Sequence, residues 1–226
     1  MKATKLVFRI VMALVVIFLA ILVMRSIMRP EKFRSIYEGR CAVIKEKLIT
    51  IRDLQNVYKN EYKRYFGDAD SLADFALNGV VKIKKNVGEI PEGMTEAQAK
   101  EAGLLREETV QMKAMDKVME IDDSRKTENF QNLQYVLGHD GTKFNIQTGV
   151  IETKNYQIPV YMIEVPLDEI LKDMDKEITP ENASAFTKFF NKIFYDGLAE
   201  EQQYRSQYKN MTLGSLKDAS TTGSWE

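Results

Sequence analysis

One cysteine and one histidine in 226 residues remove many of the parts from which protein chemistry is built. A lone Cys41 leaves no internal disulfide and no cysteine-based metal cluster. A lone His139 leaves no two-histidine metal site and at most one imidazole relay. The patterns G-x-S-x-G, H-E-x-x-H, G-x-G-x-x-G and the phosphate loop are all missing, as are internal repeats and low-complexity tracts. A net positive charge is also missing from most of the chain. Residues 1–34 carry +6, so with a net charge of −1 the remaining residues carry −7. An acidic body of this kind has no electrostatic footprint for nucleic acid. The sequence implies no cofactor, no metal and no identifiable small-molecule substrate.

What the chain does have is an apolar run. Residues 10–24 contain no charge, glycine or proline, and Ile10, Leu14, Phe18, Leu22 and Met24 mark its length. A spanning helix needs roughly 20 residues, which residues 6–28 supply if Arg9 and Arg25 reach to the two interfaces. The alternative is a cleaved signal peptide, since Lys2, Lys5 and Arg9 make an n-region and the run an h-region. Residues 24–29, however, put arginine where the small residues of a cleavage site belong, so an uncleaved membrane anchor is expected over residues 1–29. Arg25, Arg29, Lys32, Arg34 and Arg40 follow the run, and this count by itself favours a cytoplasmic C-terminal portion.

Beyond Pro30, bulky or apolar residues fall at Tyr37, Cys41, Ile44, Leu48, Ile51, Tyr58 and Tyr62, a helical rhythm interrupted by Gln55. A long amphipathic helix is expected over residues 30–66, with Gly67 and Asp68 ending it. Its face is either a seam for another helix or a stripe buried against the chain's own core. Ile36, Val43, Leu54, Val57 and Tyr65 widen it beyond a strict seam, which suits packing on a sheet.

An α+β domain is expected over residues 67–216. Asp70-Ser71 caps a short helix ending at Asn78-Gly79, and residues 80–84 alternate like a strand. Thr95 caps a second helix, and residues 107–121 fit either period. Residues 133–137, 143–146, 150–152 and 157–165 read as short strands of an antiparallel meander, with turns at His139-Asp140-Gly141 and Thr148-Gly149. Pro159 belongs at an edge or in irregular backbone. Leu167, Ile170, Leu171 and Met174 share a helical face. A longer helix, with Thr179 as cap and Pro180 first, is expected to bury Phe186, Phe189, Phe190, Ile193 and Phe194 before Gly197. Phe189 and Phe190 are adjacent and cannot both point inward, so one of them, beside Tyr195, suits a protein contact. Residues 217–226 read as a small, polar tail apart from Trp225.

His139 beside Asp140 is the one place where an imidazole meets a carboxylate, but a hairpin turn wants the same residues for its backbone geometry. Acidic clusters at Asp68 and Asp70, Glu107-Glu108 and Asp122-Asp123 lack calcium-loop spacing.

The order of parts, with Ile44, Leu48, Ile51-Arg52, Leu54-Gln55, Tyr58, Tyr62, Tyr65 and Asp70-Ser71-Leu72, resembles type IV pilins and type II secretion pseudopilins. The likeness covers about a third of the chain. It implies a helix packed on a small antiparallel sheet, a periplasmic domain and a role in an envelope assembly. No glycine precedes the apolar run as a leader-peptidase site and no glutamate lies within it, so prepilin processing and polymerisation do not carry over. The chain also resembles uncharacterised single-pass bacterial envelope proteins that share a Leu-Gly-Ser-Leu ending followed by Gly-x-Trp-Glu, here Leu213, Gly214, Ser215, Leu216 and Gly223, Trp225, Glu226. Together these readings imply a non-enzymatic inner-membrane protein that contacts other envelope proteins or itself. A membrane-tethered enzyme centred on His139, or a bitopic sensor with a cytoplasmic domain, are the alternatives.

Overall fold

In the computed structural model, which describes residues 2–122, 130–138, 141–154 and 156–226, the first element is one helix, α1 (Lys2–Tyr62). Pro30 lies inside it. The proline has no N–H to offer the carbonyl one turn back, yet the helix runs through the position where punctuation was expected. It also stops earlier than the anticipated 66. Lys63 takes a left-handed φ of 59° and its N–H bonds the Lys59 carbonyl at 2.8 Å, closing the last turn as an αL cap does.

The chain divides into two compact units, and α1 contributes to each. The first comprises Met1–Val43 and Pro166–Asn210. It is helical, with α5 (Leu167–Leu171), α6 (Met174–Ile178), α7 (Ala185–Tyr195) and α8 (Gln202–Arg205). Its core holds Phe33, Ile36, Leu171, Met174, Ile178 and Leu198, flanked by Tyr37, Tyr195, Tyr204 and Tyr208. Asp173, at φ 56°, breaks the face shared by Leu167, Ile170, Leu171 and Met174 into two short helices. Thr179 is not the cap of the long helix: its N–H closes α6 on the Asp175 carbonyl. α7 starts instead at Ser184, whose hydroxyl accepts the Thr187 N–H at 3.1 Å, because a serine side chain satisfies a free first-turn donor.

The second unit comprises Ile44–Val165 and Met211–Glu226. Its buried helix stripe is Ile44, Leu48, Ile51, Leu54, Val57 and Tyr58. Gln55, the apparent gap in the rhythm, is fully buried. Its Nε2 donates to the Phe66 carbonyl at 3.0 Å and its Oε1 accepts the Phe66 N–H at 2.9 Å, folding the segment after the helix back upon it. α2 (Ala69–Asn78) is capped by Asp68, which accepts the Ser71 N–H, rather than by Asp70-Ser71. A two-stranded ribbon pairs β1 (Val80–Val87) with β2 (Arg106–Lys113). Between them lies α3 (Glu96–Glu101), with a capping box from Thr95 and Gln98. The ambiguous stretch 107–121 is two elements, the end of β2 and then α4 (Ala114–Ile121).

A three-stranded antiparallel sheet follows, ordered β3-β4-β5, from β3 (Ile146–Glu152), β4 (Gln157–Val165) and β5 (Met211–Gly214). The fold is therefore α+β, as expected, with a different strand plan. Thr148 and Gly149 make no turn; they pair with Tyr161 and Val160 inside β3. Residues 133–137 and 143–145 form no strand; they meet through an isolated bridge between Tyr135 and Lys143. Pro159 lies opposite Val150, in the part of β4 that β5, paired with residues 162–165, does not reach. The C-terminal residues are not a free tail. Ser224 donates its N–H to the Thr212 carbonyl at 2.8 Å, Gly223 bridges Leu213, and Arg52 holds Glu226 at 2.6 Å.

Candidate membrane-facing surface

Among the described residues, none buries the apolar half of α1. Ile10, Leu14, Phe18, Leu22 and Met24 are all exposed, and none of the most apolar stretch of the helix is buried. Among the described residues this is the one helix long and apolar enough to cross a membrane. A continuous sleeve of bare leucine, isoleucine, valine and phenylalanine is far larger than the apolar patches soluble monomers tolerate.

The arginines after this run do structural work that periodicity alone does not show. Arg25 donates to the Ile193 carbonyl at 3.1 Å. Arg29, whose side chain is 8% exposed, donates through Nη1 to the carbonyls of Phe194 at 3.2 Å and Asp196 at 3.1 Å. Its Nε and Nη2 both reach the Glu201 carboxylate. These carbonyls terminate α7, where a helix leaves acceptors unpaired and its dipole is negative, so a cation there satisfies both demands. Arg40 repeats the device at the end of α5, donating to the Ile170 and Lys172 carbonyls at 2.7 Å each and pairing with Glu177 at 2.8 Å. A charge pattern announces arginines near a membrane; only the tertiary fold shows which carbonyls they close.

The anticipated helix face separates into parts. In the first unit Tyr37 and Cys41 are half-buried. Tyr37 donates to the Lys209 carbonyl at 3.3 Å and packs on Tyr208 with ring centroids 4.2 Å apart. Burial pushes the Tyr37 hydroxyl up, helped by its hydrogen bond with Cys41, and burial likewise pushes the Cys41 thiol up. In the second unit Ile44, Leu48, Ile51 and Tyr58 are core, with Tyr58 stacked on Phe66 at 3.8 Å. Tyr62 alone of the seven is exposed. The stripe is thus occupied from within rather than presented to a partner helix.

α7 is amphipathic with an uncovered end. Phe194 is buried, Phe190 is half-buried, and Phe186 and Phe189 are 76% and 64% exposed. Phe190 stacks between Phe186 at 6.4 Å and Phe194 at 4.3 Å. The opposite flank is fixed by polar contacts: Asn191 donates to the Ile178 carbonyl at 2.7 Å and Lys188 to the Glu181 carbonyl at 2.7 Å. Of the proposed contact residues, Phe189 is open, Phe190 is partly covered, and Tyr195 packs on the core of its unit.

A depression of about 530 Å³ is lined by Phe66, Asp70, Asp74 and Phe75 among others, and one of about 410 Å³ lies by Asp168, Lys172, Asp175 and Arg205. Among the described residues no group of three or more His, Cys, Asp or Glu side chains is placed to hold a metal ion. His139 and Asp140 lie outside the described residues, as does Asp123 of the acidic pair. Compared with protein-family models, with curated proteins and with solved structures, the chain matches none of them.

Proposed function

We propose that this chain is a single-pass protein of a bacterial inner membrane, held by the apolar half of α1. Its acidic, pilin-like α+β portion stands on the periplasmic side and makes protein contacts in an envelope assembly without catalysing a reaction. The observation that carries the reading is the bare apolar segment of α1, continuous with a helix whose later turns bury one apolar stripe. Hydrocarbon is the solvent such a segment requires, and an α-helix satisfies every backbone group within it. A long N-terminal helix together with small antiparallel sheets supports the pilin-like description. Three of the five basic residues that argue for a cytoplasmic portion, Arg25, Arg29 and Arg40, close helix ends, and two of these are paired with Glu201 and Glu177, which reduces their weight as topological signals.

Reporter fusions test the orientation. Alkaline phosphatase joined after Glu226 is expected to be active, and a fluorescent protein that folds only in the cytoplasm is expected to be dark. The reverse pair would place the α+β portion in the cytoplasm and favour a bitopic sensor. Proximity labelling from the anchored chain is then expected to mark envelope proteins; labelling confined to cytoplasmic proteins would refute the assembly role.

A further inference from the structure

The anchoring proposed above raises the question of what covers the open end of α7. Arg25 is the first residue after the apolar run, and its guanidinium rests on the carbonyl of Ile193. Four residues further along α1, Arg29 holds the carbonyls of Phe194 and Asp196. The last turn of α7 is therefore fixed where the span leaves the hydrocarbon, since one turn of helix rises only about 5.4 Å. From that point the apolar face of α7 becomes progressively barer, through Phe194, Phe190, Phe189 and Phe186. Its polar flank is tied to its own unit through Asn191 and Lys188. Lys192 is exposed, and Arg25 adds a further cation at the same level.

We infer that α7 is a second membrane element, an interfacial helix whose Phe186 and Phe189 rings enter the acyl boundary of the leaflet next to Arg25, with Lys192 at the lipid phosphates. Exposed aromatics on one face and lysine on the flank are what an interfacial helix requires, and a helix end clamped to the exit of a span places them at the depth where aromatic belts form. This inference rests on the anchoring reading. A second copy of the chain or another protein could cover the same rings, but the clamp at the end of the span is continuous with lipid and favours the bilayer.

The test uses the full chain with Cys41→Ser, reconstituted in nanodiscs of phosphatidylcholine and phosphatidylglycerol. Single cysteines introduced as Phe186→Cys, Phe189→Cys, Glu181→Cys or Leu14→Cys carry an environment-sensitive fluorophore. Quenching by lipids brominated near the headgroup end of the acyl chain is expected to be several-fold stronger at 186 and 189 than at 181. Water-like emission at 186 and 189, or emission shielded from water yet insensitive to brominated lipid, overturns the inference while quenching at 14 leaves the anchor intact. Absence of quenching at 14 as well overturns the anchoring reading and this one with it.

Discussion

Single residues carry more of this architecture than their types suggest. Arg29 closes two α7 carbonyls and engages Glu201 from a nearly buried position, whereas Arg34 pairs with Glu38 on an open helix surface. Arg29→Gln, measured by thermal or denaturant unfolding of the full chain in detergent, is expected to cost about 2 to 3 kcal/mol because buried acceptors lose their donor. Arg34→Gln is expected to leave stability essentially unchanged, as loss of an exposed i,i+4 pair does. Equal effects would mean that Arg29 is not a clamp. Cys41 offers a second check. Burial raises its thiol pKa, so at mildly alkaline pH the folded protein holds less thiolate than a free thiol, and thiolate is the species that reacts. Alkylation of Cys41 is expected to be slower in the folded chain than in denaturant; equal rates would contradict the burial.

At the scale of elements, caps decide where the helices begin and end. The Asp68 carboxylate, accepting from the Ser71 N–H and hydroxyl at 2.8 Å each, is held below the usual aspartate range, chiefly by that backbone N–H. A depressed carboxylate pKa stabilises the fold above the unfolded-state value, and that contribution is lost as pH falls through the folded-state value. Asp68→Ala is thus expected to cost about 1 kcal/mol at neutral pH, with the deficit shrinking once the pH falls below about 4. A deficit unchanged at acid pH would refute the charged cap. The same elements show what could be read in advance. The apolar run, the helical stripe from Ile44 to Tyr58 and the Thr95 cap follow from spacing and local chemistry, and they appear where the sequence places them. Gln55 reads as a flaw in the stripe because its partners, the backbone groups of Phe66, are defined only once the chain turns back. Thr148-Gly149 reads as a turn because glycine and threonine favour one locally. Pairing with Val160 and Tyr161 overrides that preference, as tertiary pairing commonly does in strands. Gly223 belongs to the same class. A Cβ there would come within 2.3 Å of the Trp225 ring, so the glycine that looks like part of a loose tail makes room for the only tryptophan.

For the molecule as a whole, charge and greasiness are segregated along the chain, and one helix joins them. Residues 1–34 carry a net positive charge while the remainder is net acidic, and none of the most apolar stretch between Lys5 and Arg25 is buried. That one of Phe189 and Phe190 faces outward was legible from their adjacency, but the exposure of Phe186 beside Phe189 was not. Nor was the meaning of that exposure, since it depends on Arg25 and Arg29 binding carbonyls more than a hundred and sixty positions away. The measurement that bears most directly on the central claim is the intact mass of the chain recovered from membranes after alkaline carbonate washing. The account predicts that the protein stays in the membrane pellet and retains residues 10–24. A soluble mature chain beginning downstream of Met24 would contradict it.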